Sequence, residues 1–334
     1  MATQVDNYSP AEDYGFPMFD GSTGELMYKV PAPNSLRIRR KAFVRMLGEG
    51  IDIQYGKRLV SFDATSGPGV TATFADGSIA KADILIGADG AHSTVRTQLL
   101  GPEKAAATLM PLLMCMTICK LPVELIKEFQ KHHHRICALF HPDGSFFLVG
   151  VHDAYDKPDP ADWDFTVGHF WPAEPPTNPL AGRDGGEIIR EIKRRMSVLG
   201  KWAEPWPSIA RSIDERQPAY ASFISYWATQ RWDDHEARGK VTLMGDAAHP
   251  MPPHRGSGLG NAIQDVSKLL EEIKNMKAND SESLQEAVKR YEEEMWPRGA
   301  ETVRVTVETA KQTQNWDAFK KSSFFTKDLD ERVA

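Results

Sequence analysis

Glycine and aspartate are spaced in one stretch of the sequence in a way that suits the binding of a flat or anionic group. Gly245 and Asp246 follow a short apolar run, and the glycine-rich segment Gly256–Gly260 comes soon after them. Glycine lets a backbone approach a bound group closely because it has no side chain. From Asn261 onward the apolar residues recur at helical spacing, so the loop leads into a helix N-terminus, where free N–H groups and the helix dipole attract negative charge. We therefore predict a binding site here.

A second stretch with chemical potential is ADILIGADGAHSTVR. Residues 84–86 form a short apolar run that predicts a buried parallel strand. Asp89 and Gly90 make the turn after it, and Ser93 is a predicted N-cap for a helix that carries Arg96. An ordinary strand–helix unit of some other α/β protein explains this stretch on its own, but not together with the first one.

Together the two stretches resemble the flavin-binding motifs of the class A flavoprotein monooxygenases, the family of aromatic hydroxylases that includes salicylate and para-hydroxybenzoate hydroxylases. The resemblance implies FAD as the cofactor, with Asp246 on the ribityl chain and Asp89 on the flavin side of the cofactor cleft. It also implies that Arg96 contacts the pyrophosphate and the nicotinamide donor. The cofactor-binding residues that it implies are Arg40, Asp89, Gly90, Arg96, Gly245, Asp246, Pro253, Gly256, Gly258, Leu259, Gly260 and Asn261.

Arg40 rests on a weaker pattern than the other residues. In the family an arginine just before a helix reaches the cofactor, and residues 36–47 of this chain predict such a helix. The alignment favours Arg40, with Arg37 and Arg39 as alternatives. A solvated, basic start of a helix explains any one of the three equally well.

The resemblance also implies an activity. The family hydroxylates electron-rich substrates through a flavin C4a-hydroperoxide, so we expect a monooxygenase that acts on a phenolic or polyketide-like aromatic with dioxygen and NAD(P)H. A flavin-dependent dehydrogenase or epoxidase on the same fold is a further interpretation. We predict no catalytic base for the substrate. In the family this residue belongs to the second, substrate-binding domain, and it does not align by motif.

One expected motif is missing from the sequence. A dinucleotide-binding flavoprotein carries a G-x-G-x-x-G turn after its first strand, and no such turn occurs in these 334 residues. We therefore expect the resemblance to begin after the first βαβ unit, without the part that binds the adenine half of FAD. A fragment or mis-started gene model and a natural short form are both open interpretations. The alternative function is a truncated, catalytically silent relative with weak or no flavin binding.

The predicted elements give an α/β fold: an incomplete Rossmann-like FAD-binding domain, an inserted antiparallel β-sheet domain and a helical C-terminal tail. By the resemblance, the inserted sheet forms the wall over the flavin ring that selects the substrate. The predicted domains are a partial, discontinuous FAD-binding domain at 1–103 and 238–280, a substrate domain at 104–237, and the tail at 281–334. Within them we predict a loose lead over 1–35, a helix over 123–132, a hairpin from 136–140 and 145–151, and a helix break near Pro297.

Composition narrows the partners. The net charge of −6 argues against a nucleic-acid partner. The three cysteines predict neither a disulfide framework nor a metal site, and they fit a reducing, cytoplasmic compartment. The longest apolar run, residues 109–119, is interrupted by Pro111 and is too short to span a bilayer. We therefore expect a small-molecule aromatic and dioxygen as partners, and a homo-oligomer stays open.

Overall fold

The chain passes back and forth between two structural units. The computed structural model describes residues 15–31, 38–132, 135–199, 201–276 and 281–322. The first unit contains the described residues up to Asp52, Pro111–Ile224 and those from Lys311 onward, and the second contains Ile53–Met110 and Ser225–Ala310.

Strands and helices alternate along both units. The strands are β1 (Gly15–Asp20), β2 (Leu26–Pro31), β3 (Leu59–Asp63), β4 (Val70–Phe74), β5 (Ile79–Ala82), β6 (Leu85–Gly87), β7 (Thr108–Cys119), β8 (Ile136–Phe140), β9 (Phe146–Asp153), β10 (Asp164–Pro172), β11 (Ala219–Tyr226) and β12 (Val241–Leu243). The α-helices are α1 (Arg40–Leu47), α2 (Thr94–Leu100), α3 (Pro102–Ala105), α4 (Val123–His132), α5 (Gly185–Arg194), α6 (Trp206–Ser212), α7 (Gly258–Lys274), α8 (Ser281–Thr313) and α9 (Trp316–Lys320). No helix among the described residues is both long and apolar enough to cross a membrane.

A seven-stranded sheet forms the centre of the first unit, in the order β11-β7-β10-β9-β8-β1-β2. The pairs β7–β10, β10–β9, β9–β8 and β1–β2 are antiparallel, and β1–β8 is parallel. One face of β10 buries Phe165, Val167 and Trp171 in a core that also receives Ile188 and Ile192 from α5. The predicted mixture of an antiparallel sheet with helices is confirmed.

Strands β1 and β2 correct the prediction for the start of the chain. We expected residues 1–35 to be a loose lead within the FAD-binding domain, but β1 and β2 belong to the sheet of the first unit. A proline lacks the backbone N–H that a strand ladder uses, but Pro17 lies just before Met18–Asp20, the part of β1 that pairs with β8. Its missing N–H is therefore not needed on that side of the ladder. Residues 1–14 and 32–37 lie outside the described part of the chain.

The second unit is built around a short parallel pair, β6 and β12, and an antiparallel sheet in the order β3-β4-β5. Helix α2 packs tightly on this pair: a Cβ at Gly87 would lie 2.7 Å from Val95 Cβ and 2.8 Å from Leu243 Cδ2. Only glycine permits so close an approach. The core of the unit also includes Leu269 from α7 and Met295 from α8, so both helices are anchored to it.

Local predictions agree with the structure where neighbours along the chain decide the outcome. Helix α4 has the predicted limits, and β8 and β9 form the predicted hairpin. The predicted break near Pro297 is wrong, because α8 runs through this proline without interruption. Met295 and Trp296 beside it are buried in the core of the second unit, and this packing opposes the cost of a proline inside a helix.

Candidate functional site

The parallel pairing of β6 and β12 brings the two glycine–aspartate motifs to one edge of the second unit. Gly87 pairs with Leu243 at the carboxyl ends of the two strands, and Met244 N–H donates to Gly87 O at 2.9 Å. The loops that begin at Asp89 and Asp246 therefore leave adjacent strands at the same edge. Ligands of open parallel sheets bind at this edge, beyond the carboxyl ends of the strands.

The Asp89 carboxylate is engaged within its own loop. Its Oδ1 accepts from Ser93 Oγ at 2.5 Å, and its Oδ2 accepts from the N–H groups of Thr94 and Val95 at 2.7 and 3.2 Å. Ser93 is the N-cap of α2, as predicted, and accepts from Arg96 N–H at 2.9 Å. Asp89 thus satisfies free donors at the start of α2 and fixes the loop after β6.

The guanidinium of Arg96 ties three segments of backbone together. Its nitrogens donate to the carbonyls of Ala91, Ala105 and Ala247, the last at 2.8 Å. The side chain is 2% exposed, and its Cζ lies 4.8 Å from the ring centroid of Trp227. Burial lowers the pKa of Arg96, opposed by the charge of Asp89. The buried side chain of Arg96 therefore holds these loops together. A contact of Arg96 with the pyrophosphate or with the nicotinamide donor stays a prediction.

Gly245 and Asp246 form a tight turn directly after β12. The φ of Gly245 is +57°, and its N–H donates to Asp265 Oδ2 at 2.7 Å. A Cβ at Gly245 would lie 3.3 Å from Ala262 Cβ, so α7 leaves little room for a side chain. Asp246, in contrast, is exposed, and its carboxylate makes no hydrogen bond to the described residues. An exposed, unpartnered carboxylate beside a rigid turn is suited to bind the hydroxyl groups of a ligand.

The glycine-rich loop exposes the start of α7. Gly256 has a φ of +65°, and a Cβ at Gly256 or Gly260 would meet nothing within 4 Å. A Cβ at Gly258, the first residue of α7, would lie 3.8 Å from Asp246 Oδ1. The N-cap Ser257 makes no side-chain hydrogen bond to the helix, which leaves the first N–H groups of α7 without a capping side chain. Pro253 and Leu259 lie exposed on the same loop and helix start.

This arrangement fits the ring and ribityl portions of FAD. Glycine positions with no neighbouring atoms leave room for a flat ring, and uncapped helix N–H groups provide donors for its carbonyl oxygens. Asp246, whose Oδ1 would lie 3.8 Å from a Cβ at Gly258, could accept hydrogen bonds from ribityl hydroxyl groups at the same helix start. Among the described residues there is no cluster of three or more potential metal ligands.

Asn261 turns its side chain toward the protein. Its Nδ2 donates to Ser257 O at 2.9 Å, and its Oδ1 accepts from Arg298 Nη1 at 3.2 Å and from Thr302 Oγ1 at 3.3 Å. The side chain therefore links the start of α7 to α8. Any contact of this residue with a cofactor would use its backbone.

Arg40 belongs to the first unit, whereas the other predicted cofactor residues belong to the second. It is the first residue of α1 and is exposed. Of its alternatives, Arg39 lies with its Cζ 4.3 Å from the ring centroid of Tyr155 and its Nε 3.9 Å from Asp153 Oδ1. Arg37 lies outside the described residues. These contacts within the first unit leave Arg40 as the more available of the two described arginines.

Sequence reasoning missed two residues that organise the site. Asp265 and Arg298 form a buried ion pair, with Arg298 Nη2 2.8 Å from Asp265 Oδ1, and it joins α7 to α8. His249 is buried, with its Nε2 2.8 Å from Asp265 Oδ2. Asp265 lies on α7, the helix that was predicted after the glycine-rich loop. No signal in the sequence indicated that Arg298 would be its partner.

Comparison with known proteins finds that this chain is similar to FAD-binding proteins. A family model described as an FAD binding domain matches residues 210–306. The FAD-dependent monooxygenase cctM of Talaromyces islandicus is 38% identical over 99% of this chain and 81% of its own. The FAD-dependent monooxygenase phnB of Penicillium herquei is 36% identical over 93% of this chain and 74% of its own. The solved structure of Klebsiella pneumoniae HpxO with FAD and uric acid superposes with a TM-score of 0.72 at 20% identity, over 96% of this chain and 79% of that one.

Proposed function

From the premise that this chain belongs to the class A FAD-dependent monooxygenases, we propose that it hydroxylates a phenolic or polyketide-like aromatic. Dioxygen would be the oxidant and NAD(P)H the electron donor. The observation that carries the proposal is the unpartnered Asp246 carboxylate beside the glycine-lined start of α7. Its relatives at 36% and 38% identity are named FAD-dependent monooxygenases, which supports a flavin-dependent oxygenation as the reaction.

Bound FAD would supply the redox chemistry, namely acceptance of electrons from NAD(P)H and activation of dioxygen for hydroxyl transfer. The residues of this chain would hold and polarise the cofactor. Asp246 would accept hydrogen bonds from ribityl hydroxyl groups. The N–H groups of Gly258, Leu259 and Gly260 would face the ring and stabilise negative charge on it, because the positive end of the α7 dipole points the same way.

The loops around Asp246 and the start of α7 would shape the rest of the site. Gly256 in its left-handed conformation reverses the chain before α7, and Pro253 stiffens the loop on the substrate side. Asp89 would act mainly through the loop that it fixes, so that the backbone of Gly90 approaches the cofactor. A contact of Arg40 with the cofactor stays a prediction from the resemblance.

The deciding experiment is reconstitution of the purified chain with FAD, followed by its visible absorbance. We expect a yellow protein that oxidises NADH or NADPH faster when a phenolic substrate is added, with a product that gains one oxygen atom by mass spectrometry. Comparison of the two nicotinamides would identify the donor, and light scattering would give the oligomeric state. A protein that takes up no FAD at any concentration would instead support the alternative, a catalytically silent relative.

A further inference from the structure

Asp265 is the centre of a buried polar network behind the Gly245–Asp246 turn. The residue is 0% exposed and lies on α7. Its Oδ2 accepts from Gly245 N–H at 2.7 Å and from His249 Nε2 at 2.8 Å. Its Oδ1 accepts from Arg298 Nη2 at 2.8 Å. A buried carboxylate is costly unless it is paired and hydrogen-bonded, and here both oxygens are used.

Arg298 extends the network along α8. Its Nη1 donates to Asn261 Oδ1 at 3.2 Å, and its Nε and Nη2 donate to Glu294 at 2.8 and 2.9 Å. One guanidinium therefore holds Asp265 and Asn261, which lie one turn apart on α7. Only arginine offers enough donors in a fixed plane to make all of these bonds at once.

The network fixes both groups that the proposed function assigns to the flavin. Gly245 is held in a left-handed conformation by its N–H bond to Asp265, and the next residue is Asp246. The direction of the Asp246 carboxylate thus depends on Asp265. The first turn of α7 depends on Arg298 in the same way, because Arg298 holds Asn261 near its start.

We propose that Asp265 and Arg298 are positioning residues for the flavin, which set the Asp246 turn and the N-terminus of α7 in one geometry. This inference rests on the proposed function. It predicts that substitution of Asp265 or Arg298 weakens cofactor binding more than the accompanying loss of folding stability would explain. It also predicts that the isoalloxazine and ribityl parts of the ligand are affected, whereas the adenosine part is not.

The test uses Asp265→Asn in the full chain, titrated separately with FAD and with riboflavin. Asparagine has the same shape, but its amide cannot serve Gly245, His249 and Arg298 together, because it brings one acceptor oxygen instead of two. We expect the dissociation constants of FAD and of riboflavin to rise by about tenfold or more relative to the parent chain, and by the same factor for both ligands. At saturating FAD, we also expect blurring of the vibrational shoulders of the bound flavin's visible band. Arg298→Lys, which keeps the charge, should give an intermediate loss.

Two matched controls separate positioning from stability. Glu272→Gln removes another ion pair between the same two helices, since Arg290 Nε lies 2.6 Å from Glu272 Oε2, and it should change affinity by less than about twofold. Val288→Ala destabilises the core of the second unit at a residue of α8 outside the hydrogen-bond network, and should lower stability while affinity is retained. Amide hydrogen exchange at Gly245 should be unchanged in Glu272→Gln, and it should accelerate more in Asp265→Asn than the loss of stability in Val288→Ala accelerates it.

The outcomes are distinct. Equal flavin affinity in Asp265→Asn and the parent chain overturns this inference and leaves the proposed function standing. An equal loss of affinity in Val288→Ala also overturns it, because general destabilisation would then explain the effect. Absence of FAD and riboflavin binding in the parent chain overturns the proposed function together with the inference.

Discussion

At the scale of single residues, the site separates carboxylates that support the fold from one that is free to bind. Asp89 and Asp265 both have their oxygens occupied by protein donors, whereas Asp246 is exposed and has no hydrogen-bond partner within the described part of the chain. Burial would raise the pKa of Asp265, but hydrogen bonds from His249, Gly245 and Arg298 lower it overall, so this carboxylate stays ionised. Substitutions at these aspartates should therefore have different consequences.

Replacement of Asp246 by alanine should weaken FAD binding and leave the fold intact. Loss of a hydrogen bond to a carboxylate costs about 1.5–3 kcal/mol, which corresponds to roughly tenfold to more than a hundredfold in affinity. The free energy of unfolding should change little, because the side chain has no partner among the described residues. Titration of FAD against the variant and against Asp234→Ala, an exposed aspartate on the loop before β12, measures the effect. Equal affinity in both variants would show that Asp246 does not contact the cofactor.

Glu292 should make stability depend on pH. Burial raises its pKa from 4.5 to about 7, although hydrogen bonds from Trp232 and Arg238 oppose the shift. Because the folded state binds the proton more tightly than the unfolded state, the stabilisation is complete below the unfolded pKa and is lost as the pH rises through about 7. Glutamine keeps the acceptor for Trp232 without the charge.

Glu292→Gln should therefore be more stable than the parent chain above neutral pH and similar to it in acid. The linkage sets an upper limit of about 3 kcal/mol, and this limit already includes the attraction to Arg238, because that attraction is one of the contributions to the pKa of Glu292. Urea unfolding at about pH 5 and at about pH 8 measures the difference. Glu293→Gln, an exposed neighbour that pairs with Arg231 and Arg238, is the control and should show little pH dependence. The same stability difference at both pH values would mean that Glu292 stays ionised throughout.

At the scale of elements, the parallel pair β6–β12 and the helices behind it align the loops. Arg96 on α2 fastens the loop after β6 to the turn after β12, because one side chain donates to carbonyls in both. The α7–α8 contact adds a second fastening through Asp265 and Arg298. The two loops are thus held from two sides by charged side chains, of which Arg96 and Asp265 are buried and Arg298 is half-buried.

Substitution of Arg96 by lysine should destabilise the second unit despite the retained charge. Lysine cannot reach three carbonyls in one plane, so at least one buried acceptor is left without a donor, and we expect a loss of about 2–4 kcal/mol. Chemical denaturation measures it. Arg304→Lys, on the exposed face of α8, should cost less than about 0.5 kcal/mol. A similar small cost at both positions would contradict a fastening role for Arg96.

At the scale of the whole molecule, an apolar stripe on the second unit bears on how the chain behaves in solution. Leu259, Ile263, Val266 and Leu270 recur along one side of α7 and are 62%, 57%, 57% and 47% exposed. Contiguous exposed apolar surface promotes association. The sequence also has no G-x-G-x-x-G turn to hold the pyrophosphate of FAD.

We therefore expect the 334-residue chain to self-associate and to hold FAD weakly. Light scattering during purification, together with the ratio of flavin to protein absorbance, tests both parts. Ile263→Gln with Val266→Gln should reduce association, whereas the same change at two polar positions of α7, the half-buried Lys268 and the exposed Glu271, should not. A soluble monomer that purifies with one FAD per chain would contradict the prediction and would require a different site for the adenine half.

The sequence alone determined the features that depend on neighbours along the chain. The N-cap at Ser93, the limits of α4, the hairpin of β8 and β9 and the glycine-rich start of α7 follow from short-range patterns, since capping, turn formation and periodicity involve residues a few positions apart. The family resemblance followed from two such local motifs in the right order.

Only the tertiary structure decided the contacts that cross long stretches of chain. The pairing of β1 with β8, the bond from Arg96 to Ala247, the ion pair of Asp265 with Arg298 and the uninterrupted course of α8 through Pro297 leave no local signature. Each depends on how distant segments of the chain pack against each other, and no single segment contains both partners. The partner of a buried charge is set by how distant segments pack together, and packing outweighs local propensity where the two conflict.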